Sequence, residues 1–316
     1  MWYVARRVAY LIPLWLGITL LAFVVGQFAP GDPARTLFVH QHLRPPSPPE
    51  LARARHELGL DRPVVEQYAR SISHAVRGDL GRSFTSGRPV TDELVERFPA
   101  TLELAGAATL IAVFLGLPLG LLAALKRNTA LDQLTRGASL VAASVPSFWM
   151  AYLLIIVFSV KLDLLPSFGH GGVDHLILPA LALGLGEAAL IARLARSTML
   201  EVLGEDYITT ARAKGLPERR VIGLHALKNA LGAVVTQVGL VFGFLLAYSA
   251  IVEVIFIWPG IGRLAVEAIT QRDYPMIQGF VVFAGTVFIL VNLAVDLIYQ
   301  WLDPRIALSA QRPVVA

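Results

Sequence analysis

Residues Ser197–Ala230, STMLEVLGEDYITTARAKGLPERRVIGLHALKNA, form the longest charged interruption between two very apolar segments in the second half of the chain. Leu176 to Ala195 lies ahead of the stretch and Leu231 to Ile257 behind it. Each is long enough to cross the roughly 30 Å hydrocarbon core of a bilayer as a helix. The stretch is therefore tethered to a membrane at both ends. Within it, Leu200, Leu203, Tyr207 and Ala211 recur at intervals of three and four residues, which predicts one helical face. Gly215 ends that pattern, and glycine closes a helix in the left-handed conformation at least cost. Pro217 suits the first turn of a new helix, with Glu218 near its positive end. The expected local structure is two short helices with a glycine between them.

The composition agrees with a polytopic membrane protein. Of 316 residues, 55% are hydrophobic and 16% charged, against about 25% charged in soluble domains. Mean hydropathy is +0.62. The absence of cysteine excludes disulfides, thiolate metal sites and cysteine nucleophiles. A formal net charge of +4 could suggest nucleic acid, but the basic residues are spread over loops instead of gathered in one stripe. Membrane topology accounts for them, and no nucleic-acid partner is expected.

Working outward, Arg6 and Arg7 precede an apolar run from Val8 to Phe28. That run is too long for a signal-peptide core and no small-x-small cleavage site follows, so it is expected to be an uncleaved first span with a cytoplasmic N-terminus. Residues 29–99 are polar and rich in Arg, Pro and Gly, and segments this long translocate largely regardless of charge. They are expected to be an extracytoplasmic helical insertion. Ser47-Pro-Pro-Glu50 matches a capping box that starts a helix ending near Gly59. A second helix is predicted from Pro63 to Arg77, with Val64, Tyr68, Ile72 and Val76 on one stripe, stopping at Gly78. Residues 100–316 then hold five more spans: Thr101–Leu125, Ala138–Val160, Leu176–Ala195, Leu231–Ile257 and about Met276–Trp301. Lys126, Arg127 and Arg136 mark a short cytoplasmic loop by the positive-inside rule. Pro146 predicts a kink in the third span. The C-terminus is expected inside.

Several motifs carry a family resemblance. Tyr207-Ile-Thr-Thr-Ala-Arg-Ala-Lys-Gly215-Leu216, with Glu218-Arg-Arg-Val and His225-Ala-Leu-Lys-Asn229, resembles the EAA loop of ABC-importer permeases, most closely the dipeptide, oligopeptide and nickel branch. Thr209 stands where the name-giving Glu would be and Lys228 where Pro is frequent, departures common in that branch. Ala29-Pro-Gly-Asp-Pro33, Leu58-Gly-Leu-Asp61, Gly78-Asp-Leu-Gly81, Val252-Glu-Val-Ile-Phe, Trp258-Pro-Gly260, Arg272-Asp-Tyr-Pro275, Val291-Asn-Leu-Ala-Val-Asp296 and Leu302-Asp-Pro-Arg305 extend the resemblance over nearly the whole chain. It implies an all-α permease of six transmembrane helices with the type I ABC-importer fold, in the inner membrane of a prokaryote. It further implies a second homologous permease subunit, two ABC ATPase subunits that bind ATP and Mg, and an extracytoplasmic substrate-binding protein. The 29–99 insertion either covers the outer face near that protein or simply connects two spans.

On this resemblance the ATPase-coupling residues are Tyr207, Thr210, Ala211, Arg212, Ala213, Lys214, Gly215, Leu216, Glu218 and Arg219. No Gly-x-x-x-x-Gly-Lys-Ser/Thr loop occurs, so ATP hydrolysis belongs to partner chains and no cofactor is expected in this one. Ionisable groups at membrane depth are usually functional. Glu187, Glu253 and Asp296 either line the translocation path, where a carboxylate could meet a peptide's amino terminus, or hydrogen-bond to neighbouring helices. Gly116–Gly120 and Gly239–Gly243 have the small-xxx-small spacing of close helix packing. The seven histidines show no metal-ligand spacing, and no catalytic constellation is present. The cargo stays open: peptide is expected on family frequency, with nickel chelate, glutathione or another small solute as alternatives. A secondary transporter is the rival of another class, although no repeat relates the two halves.

Overall fold

The computed structural model describes residues 2–28 and 31–302. Part of the Ala29–Pro33 motif and all of Asp303-Pro-Arg305 lie outside the described residues, as does the side chain of Asp296. Among the described residues the secondary structure is helical, apart from one isolated bridge between Arg82 and Pro89. In chain order the helices are α1 (Trp2–Phe28), α2 (Pro33–His42), α3 (Pro48–Glu57), α4 (Val64–Val76), α5 (Val90–Leu125), α6 (Ala130–Ser144), α7 (Ser147–Leu154) and α8 (Val173–Leu203). They continue as α9 (Asp206–Ala213), α10 (Glu218–Arg220), α11 (Leu227–Tyr248), α12 (Ala250–Ile255), α13 (Ile261–Gln271) and α14 (Tyr274–Leu302). Five are long and apolar enough to cross a membrane, and six spans result if the bent pair Ala130–Ser144 and Ser147–Lys161 counts as one. The expected all-α, multi-span class is the one observed.

Two compact units can be distinguished, Met1–Thr101 with Pro259–Ile289 and Leu102–Trp258 with Leu290–Ala316. In the first, the capping box forms: the Ser47 backbone N–H donates to Glu50 Oε2 at 2.8 Å and α3 begins at Pro48. Gly59 and Gly78 follow α3 and α4 with φ of +68° and +79°. Tyr68 anchors α4 on α1, donating from its hydroxyl to the Leu16 carbonyl at 3.0 Å and lying 5.4 Å from the Phe23 ring. The second span begins eleven residues before the expected Thr101, because Val90, Leu94 and Phe98 continue its apolar face into a core with Ile261, Leu264, Ala268 and Met276. Asp92, Glu93, Glu96 and Arg97 make this end of the 29–99 segment polar in composition. Residue 99, taken as the end of the insertion, therefore lies inside α5. Thr101 Oγ1, in that helix, accepts from the Ile261 N–H at 2.9 Å.

A buried aspartate organises the same unit. Asp273, 2% exposed, accepts from the Ser83 hydroxyl and from the N–H groups of Phe84 (3.1 Å), Thr85 (3.2 Å) and Met276 (3.3 Å). One carboxylate thus satisfies the 83–85 turn and the first turn of α14 together. Hydrogen bonds to a charged group contribute roughly 1.5–3 kcal/mol each, and stranding their donors adds a desolvation cost. Asp273→Ala is expected to destabilise this unit by about 3 kcal/mol or more, measured as a lower unfolding midpoint of the detergent-solubilised chain, with Asp273→Asn losing less.

In the second unit α5 packs on α8 through glycine. A Cβ at Gly116 would lie 2.4 Å from the Ala188 carbonyl oxygen, and one at Gly120 would lie 2.3 Å from that of Ala192. A Cβ at Gly239 would lie 2.4 Å from the Val295 side chain at Cγ2. The third span departs from expectation. It starts at Ala130, not Ala138, and breaks by 102° instead of kinking. Val145 takes an extended conformation (φ −85°, ψ 121°) ahead of Pro146, whose ring disfavours the α region for its predecessor, and a new helix starts at Ser147. Overpacking a close helix contact costs about 1–3 kcal/mol. Gly120→Val should lower the thermal midpoint in detergent by several degrees, whereas Gly137→Ala, with nothing within 4 Å of its added carbon, should leave it nearly unchanged.

Candidate functional site: a solvent-facing helix and a charged cavity

The Ser197–Ala230 stretch is not two free short helices. α8 continues through Ser197 to Leu203, so the first residues of the stretch belong to the spanning helix. Gly204 caps it, and Glu205 is extended (φ −73°, ψ 147°), which resets the helical phase before α9. Leu200, Leu203, Tyr207 and Ala211 therefore do not share one helix. The anchor of α9 is Ile208, fully buried with Met199, Val221, Ala226 and Ala230, whereas Tyr207 is 42% exposed and its hydroxyl accepts from Asn229 Nδ2 at 2.7 Å. Gly215 adopts φ +74°, as its position requires. Leu216 N–H donates to the Ala211 carbonyl (3.3 Å) and Gly215 N–H to that of Arg212 (2.9 Å), closing α9. Pro217 stands just before the next helix, not within its first turn, and α10 runs through π-type turns at Val221–Ala226 into α11. The second helix of the stretch is therefore the start of the fifth span.

Across the Gly215 turn, Arg212 reaches Glu218 with both sides of its guanidinium, Nη2 to Oε1 at 2.7 Å and Nε to Oε2 at 3.2 Å. Thr210, Arg212, Ala213, Lys214, Gly215, Glu218 and Arg219 are exposed. Of the expected coupling residues, Ala211 instead faces inward at 8% exposure, and Leu216 is half-buried against the same core. The result is a two-faced element, with a polar outer surface on a small apolar core that includes Ala124 at the end of α5.

The carboxylates separate by environment. Glu253 is fully buried, and Ser249 Oγ donates to it at 2.7 Å from its own helical segment. Asp296 lies on α14 with its side chain outside the described residues. Glu187 lines a cavity of about 330 Å³ together with Arg193, the Val145–Ser147 break, and Phe244 and Tyr248, whose rings stack at 4.5 Å. A pair that sequence reasoning missed lies nearby in the same unit: Asp132, fully buried, receives Arg196 Nε at 2.7 Å and Nη2 at 2.9 Å, and the Asn128 N–H at 3.0 Å. Arg196 follows directly on the expected end of the fourth span at Ala195. The one local signal was an aspartate set among the basic residues Lys126, Arg127 and Arg136.

Residues 116–308 match the family described as binding-protein-dependent transport system inner membrane component, and residues 1–105 match the N-terminal family of the same membrane component. The chain belongs to this family and is a multi-pass inner-membrane permease. It is 43% identical to the dipeptide transport system permease protein DppB of Escherichia coli (strain K12), covering 96% of this chain and 98% of that protein. It is 43% identical, with the same coverage, to the glutathione transport system permease protein GsiC of the same strain. The fold is similar to that of a chain of the inward-facing MetNI methionine ABC transporter, with a TM-score of 0.56 and 22% identity over 66% of this chain and 96% of that one.

Removing a fully buried isoleucine side chain typically costs about 2–5 kcal/mol. Ile208→Ala should therefore free α9 from its support, seen as faster amide hydrogen exchange and tryptic cleavage at Arg212 and Lys214. Tyr207→Phe, which removes one exposed hydrogen bond, should change neither.

Proposed function

We propose that the chain is the membrane subunit of an ATP-driven importer of di- and oligopeptides. It would pair with a second, homologous permease, be energised by two ABC ATPase subunits that bind ATP and Mg, and receive cargo from an extracytoplasmic binding protein. The observation that carries this reading is the 43% identity over 96% of the chain to a dipeptide permease. The solvent-facing surface of α9 and the Gly215 turn supports it from the chemistry. Coupling needs a projecting element that a cytoplasmic protein can grip and that is continuous with the spans. α9 rests on the ends of α5, α8 and α11, so force applied to it reaches three spanning helices through one core. The basic residues of the 126–136 loop and of α9 and α10 support a cytoplasmic side for both, with the N- and C-termini inside and residues 29–99 outside. ATP hydrolysis then belongs to the partners, and this chain supplies the path and the lever. Glutathione is the second cargo reading, favoured by the equal identity to GsiC.

A side chain at Gly215 has open space around it but must adopt φ +74°, which costs roughly 1–2 kcal/mol for a residue with a Cβ. Gly215→Asp is expected to leave membrane insertion intact while depleting co-purifying ATPases and abolishing peptide uptake. Unchanged ATPase recovery and uptake would remove the coupling role, and a chain that purifies alone yet transports would point to a secondary carrier.

A further inference from the structure

Between Asp174 and Glu201 near its two ends, α8 carries Glu187, Arg193 and Arg196, and of these three only Arg196 is answered. Arg196 is held by Asp132. Glu187 and Arg193 make no hydrogen bond or ion pair among the described residues, yet both line the same cavity of about 330 Å³. Ala182, Gly186, Leu190 and Arg193, with Leu183 and Glu187, form one continuous stripe of the helix on that cavity. A carboxylate without a partner at membrane depth is costly and marks solute pathways, and Arg193, six positions on toward the basic end of α8, keeps its exposed guanidinium on the same cavity. Val145 and Ser147, on either side of the break where the backbone leaves helical geometry, line it too. Irregular backbone at that depth is tolerated where it lines a cavity. Cavity volume falls at the small end of the roughly 300–1,000 Å³ range of small-molecule sites.

The charges are spaced for one kind of occupant. Six residues separate them, a rise of roughly 9 Å along the helix. The side chains can reach inward, so they span the two charged ends of a di- or tripeptide. The stacked Phe244 and Tyr248 rings add π faces that attract an ammonium group, while the Arg193 fork matches a carboxylate. We propose that this cavity holds a short zwitterionic peptide in transit, its amino terminus at Glu187 beside Phe244 and Tyr248 and its carboxylate at Arg193. This rests on the importer reading above and makes the permease itself, not only the binding protein, selective for free peptide ends.

The test uses the complete importer with its partner subunits in proteoliposomes, measuring ATP-driven uptake of labelled dialanine and, in parallel, the ATPase rate stimulated by dialanine-loaded binding protein. Glu187→Gln and Arg193→Gln should each slow uptake about tenfold while stimulated ATPase stays within twofold, and Glu187→Asp and Arg193→Lys should restore most of the uptake. Wild-type uptake rates in both neutral variants would overturn the proposal. Parallel loss of uptake and stimulated ATPase, unrestored by the charge-keeping variants, would assign the two residues to structure and overturn it equally. No dialanine uptake by the wild-type importer would overturn the peptide reading itself, and this inference with it.

Discussion

A hydrocarbon medium offers no hydrogen-bond partner, so a backbone within it must satisfy its own N–H and C=O groups. That constraint explains why the long apolar segments of this chain are helices and why departures from helix carry information. Three of the departures have a visible accommodation. The 102° break at Val145–Pro146 opens onto a cavity. The π-type turns at Val221–Ala226 lie on the apolar core beneath α9. The glycine turn at residue 215 is exposed, and there water can replace the missing partners.

The element between α8 and α11 works because it is amphipathic over a very short length. Eight helical residues in α9 would not hold together alone, since isolated helices shorter than about 12 residues are marginal in water. Ile208 and Ala211 supply the missing stability from below, and the Arg212–Glu218 pair closes the turn above. The outward residues take no part in that core. The ends of three spanning helices meet in the core under α9, so a load on its outer face is shared among them.

Charge in the apolar regions follows one rule with one exception. Asp132, Asp273 and Glu253 are buried and each is hydrogen-bonded, which is what makes burial of a carboxylate tolerable. Asp132 and Asp273 each tie together segments distant in the chain, 128–132 to Arg196 and 83–85 to the start of α14. Glu187, half-buried, and Arg193, exposed, have no such partner among the described residues, and both line one cavity. The buried carboxylates here are closed by partners, while the pair at the cavity faces open space.

The sequence by itself determined what depends on neighbours along the chain. Segment length and hydropathy marked the spans, Ser47 and Glu50 marked a helix start, Gly59, Gly78 and Gly215 marked helix ends, and the motif around Tyr207–Leu216 marked the family. Each rests on local geometry or on composition over a helix length, and each is legible without knowing what packs where. The tertiary structure decided the rest: that Ile208 and not Tyr207 anchors α9, that α5 reaches back to Val90, that Pro146 breaks the span instead of bending it, and that Arg196 is paired whereas Glu187 and Arg193 are not. A residue's partner can lie 64 positions away, as Arg196 does from Asp132, or 190 away, as Ser83 does from Asp273. Periodicity shows which face of a helix is apolar, but only packing determines which charge finds a partner and which is left facing a cavity.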